Sequence, residues 1–425
     1  MSALTCSVII PSHERPASLE RVLEGLAGQT LAPDRFEVIV ALDGENRASL
    51  EMLESWRGSG RLTHLRWTQQ PRRGQSAART RGAELASAPV LVFLDDDVVP
   101  TARLLAAHLQ HHAVDEPVVV LGDYPMVRSA ADSLYHISAW AWWEDMFFAR
   151  ARPGRPSSCR DFCAGNVSMR RSDFFAVGGF DHDFTDYGGE DYELGYRLLQ
   201  AGVRFVTEPA ALAAHHHTTA PAGALRNSRN EGHNDVLLAR KHPELLAGLR
   251  LLRRQSVRDR AIVRALFAVP FAFDLLASPW RRTLPTLERL GLRWPWLKVF
   301  GGLRQVAYWR GVRDALGSWA AYRELAATLP PPARHELRVS DGLPARLPPL
   351  STDVVAELDV CVHGRVLGTV VIEPPIDRSF RLYLADLLIE RLEAPLARAF
   401  GEERVGRASV RRAARTRGGT YRDPF

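Results

Sequence analysis

The sequence predicts an α/β fold built on a Rossmann-like, mostly parallel sheet, and three observations carry that prediction. Short apolar runs alternate with helix-period segments through the first 110 residues. The runs are continuously apolar, as strands covered by helices on both faces must be. Two of them, FEVIVALD and VLVFLDDD, end in aspartate. In such sheets ligands bind beyond the carboxyl ends of the strands, so Asp43 and Asp95–Asp97 are expected to point into one crevice.

Taken in order, CSVIIPS (6–12) is the first strand. Ser18 is placed to cap a helix whose apolar positions Leu19, Val22, Leu23 and Leu26 follow helical spacing. FEVIVALDG (36–44) is the second strand, 62–67 a weaker third, 75–86 a helix and VLVFL (90–94) the fourth strand. Residues 117–245 are less regular and include the aromatic run AWAWWEDMFF (139–148), which suits either core packing or a platform for sugar rings. YGGEDYELGYRLLQAG (187–202) reads as a glycine turn, an acidic helix start, an apolar face at Leu194, Leu198 and Leu199, and a stop near Gly202. VRFVTEP (203–209) is a strand, followed by His215, His216 and His217.

From 246 the composition turns to Arg, Leu and Trp. Residues 246–330 carry ten more positive than negative charges in a chain whose net charge is only +6. The expected organisation is a catalytic domain (1–245), a basic Trp/Arg-rich helical region (246–330) and a Pro-rich linker (331–350). A small C-terminal α+β domain (351–425) follows, with a hairpin turning at His363-Gly364, a helix over 378–400 and an Arg-rich tail. The 46% hydrophobic and 24% charged content is that of a globular protein. Four scattered cysteines exclude a disulfide framework and a convincing zinc site. With no signal-peptide pattern and no window of 18 residues free of charge and proline, a cytoplasmic protein is expected. The basic helices suit either an anionic membrane surface, at the inner face of the cytoplasmic membrane, or packing on the catalytic domain. Nothing resembles a nucleic-acid-binding motif, and no nucleic-acid partner is expected.

Three adjacent carboxylates after a buried strand call for a positive partner. In an extended segment Asp95 and Asp97 share a side, and carboxylates there suit Mg²⁺ or Mn²⁺ beneath a diphosphate; the plain alternative is a solvated acidic turn. Glu190 and Asp191 either cap a helix or supply a general base. The histidines either ligate a metal or lie on the surface. Arg72, Arg73, Arg79 and Arg81 either fork phosphates or form a solvated basic face.

Together SVIIPSHERPASLERVLEGLAGQT, FEVIVALDG, GQSAARTRGAELASAPVLVFLDDD, GNVSMRRSDFFAVGGFD and GGEDYELGYRLLQAG resemble, in order and spacing, the family 2 glycosyltransferases of GT-A fold. The resemblance covers roughly residues 5–220. It implies metal-dependent, inverting transfer from a nucleotide-diphosphate sugar, with a uridine diphosphate donor as the leading choice. The acceptor would be a hydroxyl of a carbohydrate, lipid-linked or small molecule, in polysaccharide, glycolipid or glycosylated-metabolite assembly. By position, Asp43, Pro11 and Glu14 would contact the nucleoside and Arg79 the nucleotide. Asp95 and Asp96 would lie on the ribose and metal side. Asp97 would ligate Mn²⁺ or Mg²⁺ with Asp95 and a histidine, His215 first and His217 second. Asp191, with Glu190 beside it, would be the base, and Asn166 with the Gly178–Asp181 turn would shape the donor and acceptor floor. Leu42 and Thr80 stand where the family commonly has an acid and an asparagine. Two other readings are an inactive sugar-binding or scaffold member of the same fold and a sugar nucleotidyltransferase. The latter needs a glycine-rich phosphate loop that IIPSHERPAS lacks.

Overall fold

The strands that carry this chain's first unit are β1 Cys6–Ser12, β2 Phe36–Asp43, β3 Leu65–Gln70, β4 Val90–Leu94, β5 Val98–Pro100, β6 Val118–Asp123, β7 Asn166–Arg170 and β8 Arg204–His215. They come from a computed structural model that describes residues 3–114, 116–129, 132–151, 157–252, 257–328, 333–338, 356–362, 365–372 and 392. The strand order is β3-β2-β1-β4-β7-β6-β8-β5. Strands β3, β2, β1 and β4 are parallel, as are β6 and β8. β7 runs antiparallel between β4 and β6, and β5 antiparallel to β8. The sheet is therefore parallel where the apolar runs are longest and mixed beyond β4. This is the α/β, GT-A-like architecture the sequence predicts.

Its helices are α1 Pro16–Ala27, α2 Arg47–Ser59, α3 Gln75–Leu85, α4 Leu104–Gln110, α5 Leu134–Arg150, α6 Arg171–Ala176, α7 Glu190–Gln200 and α8 Pro221–Lys241. They continue with α9 Val257–Ala268, α10 Pro270–Arg289, α11 Arg293–Leu316 and α12 Trp319–Ala327. The continuous apolar strands serve two cores. Val8, Ile10, Val38 and Val40 pack with the α1 residues Leu19, Val22, Leu23 and Leu26 on one side. Ile9, Ile39, Leu91 and Phe93 pack with Phe174, Phe180, Leu194 and Leu198 on the other. Gly82 of α3 lies so close to the sheet that a Cβ there would meet Ile9 Cγ2 at 2.6 Å.

Three local expectations are corrected. Helix α1 begins at Pro16 with Arg15 as its cap residue and no side-chain cap; proline supplies a preset φ and has no N–H to satisfy, so Ser18 falls inside the first turn. The third strand slides to 65–70, because it pairs with β2 from Val38↔Leu65 to Asp43↔Gln70. β8 runs past residue 209 to His215, since β5 pairs Val98 with His215.

The aromatic run lies on α5, with Phe147 in the core, Trp143 packed beside it and Trp142 exposed. Helices α9–α12 form a third core with α8, in which Val236 and Leu238 meet Phe267, Tyr308, Trp309 and Val312. At the α8–α11 crossing a Cβ on Gly232 would lie 2.0 Å from the Tyr308 carbonyl oxygen, and one on Gly311 1.8 Å from that of Arg229. No described helix is long and apolar enough to cross a membrane.

The chain divides into two compact units, cut between residues 329 and 330. The described part of the second is a sheet of β9 Ala333–Arg338, β10 Ala356–Val362 and β11 Arg365–Ile372, in the order β11-β10-β9. β10 and β11 are antiparallel, while β9 is parallel to β10. Residues 333–338, read from sequence as part of a linker, are thus a strand; Leu337 is buried while Glu336 and Arg338 are exposed, the alternation of a half-buried strand. The turn at 363–364, the Arg-rich tail and, Leu392 apart, the expected helix over 378–400 lie outside the described residues.

Candidate active site

After β4 the chain turns rather than staying extended: the Val98 N–H donates to the Asp95 carbonyl at 3.1 Å. The three aspartates therefore meet different partners, which corrects the expectation of an extended segment with Asp95 and Asp97 on one side. Asp95 Oδ1 accepts from Arg79 Nη2 at 2.7 Å. Asp96 Oδ2 accepts from Ser12 Oγ at 2.7 Å. Asp97 Oδ2 accepts from Arg15 Nη1 at 3.0 Å, and the same guanidinium lies 3.4 Å from Asp96 Oδ1. Burial pushes Asp96 up to about 7, against the pull of Arg15. Burial also opposes ionisation of Asp97, but the bonding and charge of His215 and the charge of Arg15 outweigh it and hold this carboxyl below the ordinary range.

Arg79, on α3, is only 2% exposed and joins the two halves of the site. Its Nη2 holds Asp95, and its Nη1 lies 3.7 Å from both Glu190 Oε1 and Asp191 Oδ1. The guanidinium sits 5.4 Å over the Phe180 ring, on the turn that Arg197 fixes by donating to Val177 and Gly179 carbonyls. The sequence allowed Arg79 a nucleotide contact; its burial makes it the internal counter-ion of three acids instead.

Glu190 and Asp191 open α7 behind Gly189, whose φ of +96° is left-handed. Glu190 Oε2 accepts from the Gly188 N–H at 2.9 Å and its side chain is 7% exposed, so it faces inward. Asp191 is 27% exposed; its Oδ2 accepts from the Ala164 N–H at 3.0 Å, while Oδ1 is buried without a hydrogen-bond partner. Burial and the adjacent Asp191 raise Glu190 to about 7. Burial raises Asp191 as well, with Arg79 and the Ala164 N–H pulling the other way.

A divalent cation fits the opposite end of the crevice. The β5–β8 pairing brings His215 Nε2, the ring nitrogen that would face a cation shared with Asp97, to 3.6 Å from Asp97 Oδ1. One carboxylate and one imidazole, completed by substrate phosphate oxygens, are a suitable donor set for Mn²⁺ or Mg²⁺. Among the described residues no three such side chains are gathered tightly enough to hold an ion by themselves. His217 stands behind, its ring 5.1 Å from that of His215 and its Nε2 3.3 Å from the Tyr135 hydroxyl. Burial and His215 lower it to about 4, so it is neutral.

The remaining candidates separate. Asp43 accepts from Gln70 Nε2 and from the Arg73 and Gly74 N–H groups at 2.8–2.9 Å, which makes it the anchor of the 70–74 loop. Pro11 is buried in β1, and Glu14 is exposed on the following turn with a left-handed φ of +53°. Asn166 is corrected. It is 1% exposed, and its amide is spent on His108, the Asp123 carbonyl and the Ala211 carbonyl, so it ties strands together beneath the crevice floor rather than lining it.

Several contributors were missed. Arg15 was legible as a cation in the turn facing three acids. Asn234 of α8, which donates to the Gly188 carbonyl and so holds the loop before Glu190, has no sequence signal because it lies 46 residues away. Gly74 was missed too: a Cβ there would lie 2.0 Å from the Thr185 carbonyl oxygen.

A sheet covered on both faces, with acids from three elements gathered at its strand ends, places this crevice where open α/β sheets bind their ligands. Residues 7–177 match the pattern of Glycosyl transferase family 2, and residues 144–220 that of the N-terminal domain of galactosyltransferase. The chain is 35% identical over 301 residues to a validoxylamine A glucosyltransferase of Streptomyces hygroscopicus subsp. jinggangensis, covering 65% of this chain and 69% of that one. The same identity over 301 residues relates it to the enzyme of that name from subsp. limoneus, of which it covers 64%. The mannosyltransferase PcManGT from Pyrobaculum calidifontis, solved with GDP-Man and Mn²⁺, matches 74% of this chain and 88% of its own at 17% identity and a TM-score of 0.48. The chain belongs to glycosyltransferase family 2.

Proposed function

We propose that this protein transfers a sugar from a nucleotide-diphosphate donor, UDP-glucose in the first instance, to a hydroxyl of a polyhydroxylated acceptor, with inversion. The observation that carries the reading is Asp191: a carboxylate of raised pKa, oriented by one backbone N–H and Arg79, beside a crevice that also holds Asp95 and Asp97. The names of the Streptomyces relatives, validoxylamine A glucosyltransferases, support glucose as the sugar transferred.

In this reading the Asp191 carboxylate takes the proton of the acceptor hydroxyl as its oxygen bonds to the anomeric carbon. The bond from that carbon to the diphosphate breaks, and its electron pair leaves with the nucleotide. A divalent ion held by Asp97 and His215 would supply positive charge to the departing diphosphate. Arg79 keeps Asp95 and Asp191 in fixed relation, and Glu190 holds the glycine turn from inside. The test is product formation from UDP-glucose and validoxylamine A, or a panel of sugars and cyclitols, with Mn²⁺. Donor-dependent product lost in Asp191→Asn supports the reading, and thermal stabilisation by UDP with no transfer or donor hydrolysis in any combination favours a sugar-binding member without activity.

A further inference from the structure

We propose that the α10–α11 region is a docking surface for an anionic lipid bilayer, on which the protein lies without crossing it. Exposed large apolar side chains are scattered singly over most of the molecule but crowd into residues 262–297: Val269, Phe271, Leu275, Trp280, Leu290 and Trp294 among them. Phe271 is 82% exposed, Leu275 76% and Trp294 69%, values at which a core role is excluded. On α10 the positions 271, 275, 278, 282, 285 and 289 fall on one stripe of a 3.6-residue helix. The stripe therefore reads Phe271, Leu275, Ser278, Arg282, Pro285 and Arg289, two apolar positions ahead of two basic ones. Ala277 and Leu284, on the opposite side, are buried against α5 and α11.

Charge selects the occupant. Arg281, Arg282, Arg289 and Arg293 are exposed, and no described carboxylate pairs with them. Lys298 lies 5.1 Å over the Trp294 ring. Of the two acids on α10, Asp274 and Glu288, Glu288 is spent on the Leu134 N–H. Apolar side chains ringed by guanidinium groups that no described carboxylate pairs complement acyl chains beneath phosphate headgroups, with indoles at the boundary. A second copy of this chain would bring the same positive ring against itself. No described helix satisfies the length and hydropathy of a span.

The surface is also close to the crevice. The buried side of α10 packs with Tyr135, whose hydroxyl meets His217, whose ring packs on His215 opposite Asp97. An acceptor carried at the bilayer surface would arrive on the same side of the molecule as this chain of contacts. That delivery rests on the transfer activity proposed above; the surface stands without it.

The experiment is co-sedimentation of the full chain, without substrates, with vesicles of phosphatidylglycerol or of phosphatidylcholine at low and high salt. The variants are Phe271→Ser/Leu275→Ser and Arg282→Glu/Arg289→Glu, each checked for folding by circular dichroism and for UDP-dependent thermal shift. Binding to phosphatidylglycerol alone is expected, weakened by salt and reduced at least about tenfold in each double variant. Failure of the folded wild type to bind at low salt overturns the proposal, and so does equal binding by the variants, which would put the contact elsewhere in the chain. A dimer in light scattering that Phe271→Ser/Leu275→Ser dissolves, with no vesicle binding, gives the surface to a second copy. Because the transfer assay is run separately, loss of lipid binding and loss of activity are read independently.

Discussion

Two pairs of adjacent acids close this crevice, Asp96–Asp97 on the β4–β5 turn and Glu190–Asp191 at the head of α7, and they are neutralised differently. Glu190–Asp191 faces Arg79, whose side chain is 2% exposed and which also holds Asp95. Asp96–Asp97 faces Arg15, whose side chain is 43% exposed. A guanidinium sealed among carboxylates cannot leave without stranding charge in a medium that solvates it poorly. One at the surface is held by an interaction that water and salt weaken. The Arg79 end is thus permanent framework, while the Arg15 end can give up its cation to another.

The largest effect that can break this comparison is chemical. Asp191→Asn should lower kcat by roughly 10²–10⁴-fold while leaving the UDP thermal shift intact; equal loss in Glu190→Gln, with folding unharmed, would mean the inward-facing acid had been misjudged. Next comes stability: Arg79→Met should cost about 3–5 kcal/mol in urea unfolding, because three acids lose their buried partner. Third, Asp97→Ala should abolish Mn²⁺-dependent stabilisation by UDP, worth about 2.7 kcal/mol in wild type at a hundredfold excess over Kd.

A smaller effect follows from protons. Glu190 is raised from 4.5 to about 7 in the folded protein. Between those values the folded state binds more protons than the unfolded one, so this group's contribution is complete below pH 4.5 and is lost as pH rises through 7. Urea midpoints across that window should fall more steeply with pH in wild type than in Glu190→Gln. The smallest effect belongs to Arg15→Ala, expected within about 1 kcal/mol of wild type. A cost as large as that of Arg79→Met would erase the distinction between the two ends.

Much of this was legible in the sequence because strand patterning is local. β1, β2 and β4 begin where their apolar runs begin, and α7 starts at Glu190 because two glycines precede it. The turn that separates Asp95 from Asp97 was not legible, since it depends on β5 finding its partner at His215, more than a hundred residues later. Asn166 looked like a ligand contact for a similar reason: the carbonyls that consume its amide belong to other strands. Exposure, not motif, distinguishes Asp191 from Glu190, and two neighbouring acids in a sequence carry no record of which one water reaches.

The crossing of α8 and α11 sets where this enzyme can be shortened. Gly232 lies two residues from Asn234, the side chain that grips the Gly188 carbonyl ahead of the acids, and it touches the α11 backbone so closely that no other residue fits. A fragment ending at 245 would keep every acid in the crevice and α8 itself, and lose the α11 backbone on which α8 packs to hold Asn234 against the loop before Asp191. The shortest piece worth expressing ends after Leu316, and a scan of C-terminal truncations should show solubility and turnover falling together once α11 is cut.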